Sequence, residues 1–184
     1  DAHRFEEAIQ ALSELAESAA DAQLRIACLF QRGQCFLRKG DTIAAREDFG
    51  RIVSADPKTS LSEKARLWIG ITHFLERSFE EALLVLEALS HETQNAQLKG
   101  EALYRSAASL YSLYRYEEAA TTIEQLKSDC PNHPREYESL LLLGDCLFAQ
   151  NRFEDAIQRY QSIPSDIPEL AHLAALQSSD AYRE

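Results

Sequence analysis

Residues 78–89 read SFEEALLVLEAL, and the phrase returns with small changes as RFEEAIQALSEL at 4–15, RYEEAATTIEQL at 115–126 and RFEDAIQRYQSI at 152–163. Counting outward from these phrases gives one period. Ala8, Ala45, Ala82, Ala119 and Ala156 stand 37 residues apart, as do Phe5, Thr42, Phe79, Tyr116 and Phe153. The same step links Leu12, Phe49, Leu86, Ile123 and Tyr160, and also Leu15, Ile52, Leu89, Leu126 and Ile163. Upstream, Gly33, Gly70, Ala107 and Gly144 hold the same spacing, with no insertion between copies. A fixed period of this length is the mark of a repeat architecture.

Within each copy the apolar residues fall at helical spacing: Phe79, Ala82, Leu86 and Leu89 share one face. Short breaks separate the helical stretches, among them KGD at 39–41, ADP at 55–57, CPNHP at 130–134, QNR at 150–152 and IPSDIPE at 163–169. Each unit therefore reads as a helical hairpin, and no segment alternates convincingly enough to form a strand. The pattern predicts ten helices at about 4–18, 22–38, 41–55, 60–76, 78–90, 95–113, 115–129, 135–149, 152–162 and 169–182. One domain over 1–184 is expected, with units at 26–62, 63–99, 100–136 and 137–170 and partial units at 1–25 and 171–184. The open ends read as a piece of a longer array or as atypical capping helices, and the lack of any Met as an excerpt or a processed product.

Composition narrows the function classes. The 184 residues are 45% apolar, enough for a sizeable core, and carry a formal net charge of −11. With no basic tract to neutralise phosphates, nucleic acid is not an expected partner. No apolar run approaches the roughly 18 residues of a membrane-spanning helix, and the first residues, DAHRFEE, do not form a signal-peptide pattern.

The residues in these columns resemble the tetratricopeptide repeat, whose signature runs W-x2-L-G-x2-Y, then A-x3-F, then Pro. The unit at 26–62 carries Leu29, Gly33, Phe36, Ala45, Phe49 and Pro57; the unit from 137 carries Leu140, Leu143, Gly144, Leu147, Ala156, Tyr160 and Pro168. The two between match more loosely, through Ile69, Gly70, Ala82 and Leu86, and through Leu103, Ala107, Leu110, Ala119, Ile123 and Pro131. Trp68 lies two positions past the signature Trp, Gln94 stands where Pro is expected, and Thr42 replaces an aromatic. The period is 37 rather than 34, with the extra residues most simply in the turn between hairpins. The resemblance implies an all-α, right-handed α-solenoid of stacked antiparallel hairpins.

Numbering each unit from Ile26 separates three faces of its first helix. Columns 4, 7, 8 and 11 hold signature residues that should meet the unit's own second helix. Columns 3 and 10 hold only small residues, Cys28, Ala65, Ala102, Ser139 and Cys35, Thr72, Ser109, Cys146, as close helix contacts require. Three of the cysteines thus read as small buried fillers, and Cys130 with His133 as turn decoration rather than half a metal site. Columns 5, 9 and 12 form the third face, which in the family lines a concave groove for a peptide or partner helix. By that resemblance the candidate partner-binding residues are Phe30, Gln34, Arg38, Leu67, Ile71, Phe74, Tyr104, Tyr111, Leu141 and Phe148. The alternative is that these side chains pack against neighbouring first helices or against flanking segments.

The Lys and Asn clamp with which some family members grip a C-terminal carboxylate is absent, since columns 5 and 9 read Phe30/Gln34, Leu67/Ile71, Tyr104/Ala108 and Leu141/Asp145. Recognition should run through apolar side chains, with Arg38 as an acid-binding contact. The repeated Glu pairs sit in first turns, where they meet the positive end of the helix dipole. No constellation for catalysis, metal or cofactor appears among the five scattered histidines or elsewhere. The expected function is a non-enzymatic scaffold for a protein or peptide partner; the alternative is an architectural spacer or docking module of a larger protein. Long-period arrays of this kind resemble those of bacterial envelope proteins, which implies a periplasmic setting, while unpaired cysteines fit a reducing cytoplasm equally well.

Overall fold

The computed structural model describes residues 2–183, which form ten α-helices and no strand. They are α1 (Ala2–Ser18), α2 (Ala22–Lys39), α3 (Thr42–Ala55), α4 (Ser60–Leu75), α5 (Phe79–Glu92), α6 (Ala96–Ser112), α7 (Tyr116–Asp129), α8 (Glu136–Ala149), α9 (Phe153–Gln161) and α10 (Pro168–Ala181). All ten lie where the apolar spacing predicts them, within two residues at each end. The chain divides into two compact units, residues 1–89 and 90–184, the division falling inside α5.

Consecutive helices pack in pairs within each unit: α1 on α2, α2 on α3 and α3 on α4 in the first; α6 through α10 in the second, where α8 also touches α6 and α10. The glycine column explains the close approach inside three of the four full hairpins, Ala107 taking its place in the other. A Cβ on Gly33 would stand 2.8 Å from the Phe49 ring, on Gly70 2.5 Å from Leu86, and on Gly144 2.2 Å from Tyr160. Each of those partners lies sixteen residues on, in the column of the signature F, and each is essentially fully buried. Columns 3 and 10 are buried as expected, from Cys28 at 3% exposure to Ala65, Ala102, Ser139, Thr72, Ser109 and Cys146 at 0%, with Cys35 half-buried.

The turn joining the helices of each hairpin is one conformation used four times. Gly40, Arg77, Tyr114 and Asn151, all in column 15, take left-handed backbone with φ of 88°, 62°, 61° and 60°. In every copy the residue's N–H donates three residues back, and the next N–H donates five back, as in Gly40 to Leu37 and Asp41 to Phe36. This pattern satisfies the last carbonyls of the first helix. Left-handed backbone costs a Cβ-bearing residue about 1–2 kcal/mol, partly offset by the larger chain entropy that glycine loses on folding. Arg77→Gly is therefore expected to stabilise the protein by roughly 0.5–1 kcal/mol in urea unfolding; a loss of stability would show that the Arg77 side chain holds the turn.

Candidate functional site

The corner of each hairpin sets the candidate groove residues in place. Column 12 ends the first helix and column 17 opens the second, and their rings meet: Phe74 with Phe79 at 5.4 Å between centroids, Tyr111 with Tyr116 at 5.3 Å, and Phe148 with Phe153 at 5.3 Å. Such a pair contributes about 0.5–1.5 kcal/mol beyond burial. In the unit with Leu37 and Thr42 no such ring pair can form, and the Thr42 hydroxyl instead donates to Glu76 Oε1 at 2.5 Å, beside Arg46 Nη1 at 2.7 Å from Oε2. Those two donors hold the Glu76 carboxyl below its ordinary range.

The Arg of the repeated phrase has its own role. Arg115 forks onto Glu118 with contacts of 2.6 and 2.5 Å, and Arg152 onto Asp155 at 2.9 and 2.6 Å. Neither residue caps its helix with an acceptor; each pins the first turn through a carboxylate three residues on.

In the first unit, Phe30, Leu67 and Ile71 are each 8% exposed, Gln34 and Phe74 are half-buried, and Arg38 is exposed. Phe30 stands edge-on to Phe49 at 5.6 Å. Trp68, out of place against the signature, stacks on Phe49 at 6.3 Å from the next helix. In the second unit Tyr104, Tyr111, Leu141 and Phe148 are all half-buried. The Tyr104 ring is covered by Arg135 and Arg105, 5.1 and 5.7 Å from its centroid, and both guanidiniums bond Glu101, at 2.7 and 2.9 Å. Burial works to raise the Glu101 carboxyl, but the two arginines outweigh it and hold it below the usual range.

Tyr111 and Phe148 line one cleft of about 180 Å³, together with Asp145, Ala149, Tyr160, Gln177 and Asp180. Tyr104 and Leu141 do not line it. Asp145 Oδ1 accepts the Tyr160 hydroxyl at 2.9 Å. Burial pushes the Asp145 carboxyl up to about 6 against the opposing pull of that hydrogen bond, and pushes the adjacent Cys146 thiol up to about 12. Sequence reasoning noted Asp145 only as the residue that breaks a clamp. Its partner Tyr160 lies in a signature column, and Gln177 and Asp180 come from α10, which no repeat column pointed to as a groove wall.

One sequence reading needs correction. The CPNHP turn is not decoration: Cys130 is 5% and His133 7% exposed, and the His133 ring lies over Gly100, where a Cβ would come within 2.4 Å of it. The Arg135 N–H donates to His133 Nδ1 at 3.3 Å. The missed signal is that Gly100 supplies space only an inward-turned side chain would use. Among the described residues no group of three or more His, Cys, Asp or Glu is placed to hold a metal, and no helix is long and apolar enough to cross a membrane.

Three family models, each described as tetratricopeptide repeat, match residues 26–59, 101–133 and 132–179. Among solved structures, the crystal structure of MamA is similar over 98% of this chain and 92% of its own, at 14% identity and TM-score 0.72. A tetratricopeptide repeat protein from Parabacteroides merdae ATCC 43184 is similar over 85% of this chain and 60% of its own, at 20% identity and TM-score 0.68. A putative kinesin light chain from Podospora anserina with nearly identical repeats is similar over 99% and 90%, at 15% identity and TM-score 0.68. A search of curated proteins found no match. Hairpins joined through a column of glycines, with a row of half-buried aromatics, define the class of helical-repeat scaffolds for protein interaction, whose members are in general not enzymes. The chain belongs to the tetratricopeptide repeat family.

Proposed function

We propose that the protein holds a segment of a protein partner in a concave, partly aromatic groove on the first helices. The candidate residues divide by exposure. Phe30, Leu67 and Ile71 offer little surface and would serve as floor in the first unit, where Gln34, Arg38 and Phe74 are the more open residues; within the second unit Tyr111 and Phe148 would meet the partner. The observation that carries this reading is the shared cleft of Tyr111 and Phe148, two residues one repeat apart that leave part of their rings open beside a carboxylate. Aromatic anchors of this kind dominate binding where water is excluded. Neither catalysis nor nucleic-acid binding is part of the proposal.

The test is selection of a displayed random peptide library on the purified 184-residue chain. Selected peptides should lose binding at least tenfold to a Tyr111→Leu/Phe148→Leu variant that retains its helicity, a change of about 1.4 kcal/mol. Equal binding to the variant would overturn the groove. Leucine is the informative replacement, because alanine would also strip Tyr116 and Phe153 of their packing partners.

A second reading draws on those same ring pairs. Because each column 12 aromatic already packs inside its own hairpin, the column has an architectural use without any partner, which favours a spacer or docking module; failure to select any peptide with apolar consensus would support it. The periplasmic setting implied by the family resemblance stays part of the proposal. Three of the four unpaired thiols do not oppose it, since Cys28, Cys130 and Cys146 are buried, and burial raises the Cys130 and Cys146 thiols; Cys35 is half-buried.

A further inference from the structure

We infer that the cleft walled by Tyr111 of α6, Asp145 and Phe148 of α8, Tyr160 of α9 and Gln177 and Asp180 of α10 receives an arginine side chain of the partner segment, an inference that rests on the groove reading above. The cleft is rich in acceptors, and no cation is among the described residues that line it. Asp145 is in no ion pair among the described residues, and its one bond is that from the Tyr160 hydroxyl at 2.9 Å. Among the described residues Asp180 meets the exposed Arg183, at 3.5 Å. Independently of the carboxylates, Gln177 Oε1 is buried and accepts no hydrogen bond. A buried acceptor without a donor is uncommon in folded proteins.

The chemistry of the walls selects the occupant. Two carboxylates call for a cation with several donors, and aromatic rings in the walls favour a planar one. Guanidinium has five donors in a fixed fork and stacks on rings, whereas ammonium is compact and strongly hydrated. The net charge of −11 attracts a basic segment at long range.

Binding should depend on pH. The groups facing the Asp145 carboxylate from the packed helices are Tyr111, Tyr160, Cys146 and, across the cleft, Asp180. Burial raises both tyrosines and the thiol, so all three stay neutral below pH 8. Burial also holds Asp145 up near about 6. A bound guanidinium favours the carboxylate and so competes with its proton. Affinity is then full above that value and falls about tenfold between about pH 7.5 and about pH 5, as the carboxyl is protonated.

The experiment titrates N-acetyl-arginine amide into the isotope-labelled 184-residue chain by NMR, with N-acetyl-citrulline amide as the uncharged isostere and N-acetyl-lysine amide as the other cation. Expected are saturable shifts of the Tyr111, Asp145 and Gln177 signals with the arginine probe, about tenfold weaker at about pH 5, and at least tenfold weaker with citrulline and lysine. Asp145→Asn, which keeps an acceptor for Tyr160, should abolish both binding and its pH dependence, and Asp180→Asn should weaken binding while leaving that dependence in place. Equal shifts with citrulline, equal binding by lysine, shifts centred elsewhere, or unchanged binding by Asp145→Asn would each overturn the inference. Should Asp145→Asn fail to fold, Asp180→Asn and the probe comparison decide it. Library peptides that need Tyr111 and Phe148 but no arginine would leave the groove standing and sink this inference alone.

Discussion

Asp48→Ala is expected to destabilise the protein by about 2–3 kcal/mol, because it leaves a partly buried guanidinium without its counter-ion. Asp48 is 2% exposed and takes a two-pronged contact from Arg32, Nε to Oδ2 at 2.7 Å and Nη2 to Oδ1 at 2.6 Å. The remaining Arg32 nitrogen, Nη1, donates to Ser13 Oγ of α1 at 2.8 Å. Removing the carboxylate leaves that charge only partly open to water, with Ser13 as its remaining partner. The repeat itself supplies the control. The column of Arg32 holds Leu143 in another unit, and that of Asp48 holds Val85. Replacing both, as Arg32→Leu with Asp48→Val, should come within about 1 kcal/mol of the parent, since a buried pair is worth little against well-packed apolar residues. Urea midpoints of the two variants check this; a mild loss in Asp48→Ala would mean that the pair is hydrated.

Phe49→Ala should lose about 3–5 kcal/mol, the sum of the lost transfer energy and the cavity left behind. Phe49 is 0% exposed, lies in the close approach of Gly33, and touches Phe30 at 5.6 Å and Trp68 at 6.3 Å between centroids. The only Trp of the chain thereby reports on the site, and its fluorescence should change even before unfolding. The coupling with Gly33 gives the prediction its sign test. Gly33→Ala crowds the ring in the parent, where its Cβ would fall 2.8 Å away, but in Phe49→Ala it fills space and gains about 1 kcal/mol of helix propensity. Were Gly33→Ala equally harmful in both backgrounds, the glycine column would not exist to admit the ring.

Helix positions and the buried columns were legible because both are periodic properties. A helix that must bury one stripe repeats its apolar residues, and a hairpin that must close tightly repeats its glycine at a fixed distance from the ring it admits. Trp68 shows the limit: as a departure from the signature it carries no periodic meaning, yet it stacks on the Phe49 ring of the preceding hairpin. The left-handed turn was readable at Gly40 and Asn151 and hidden at Arg77 and Tyr114, where residue type opposes the backbone that the column requires. Of the candidate groove residues, the sequence marks the face they occupy. It does not show that Tyr104 lies beneath Arg135, or that Phe30 is edge-on to Phe49.

The amino-acid sequence alone determined the period, the ten helices and the family, since these follow from which faces of each helix must leave water. Tertiary structure decided the pairing of polar groups: Arg32 with Asp48, Tyr160 with Asp145, and His133 over Gly100. A hydrogen bond or an ion pair depends on distances of a few tenths of an ångström between helices, and on how much water the surrounding side chains exclude. Neither quantity repeats with the sequence, so each pair had to be found in place.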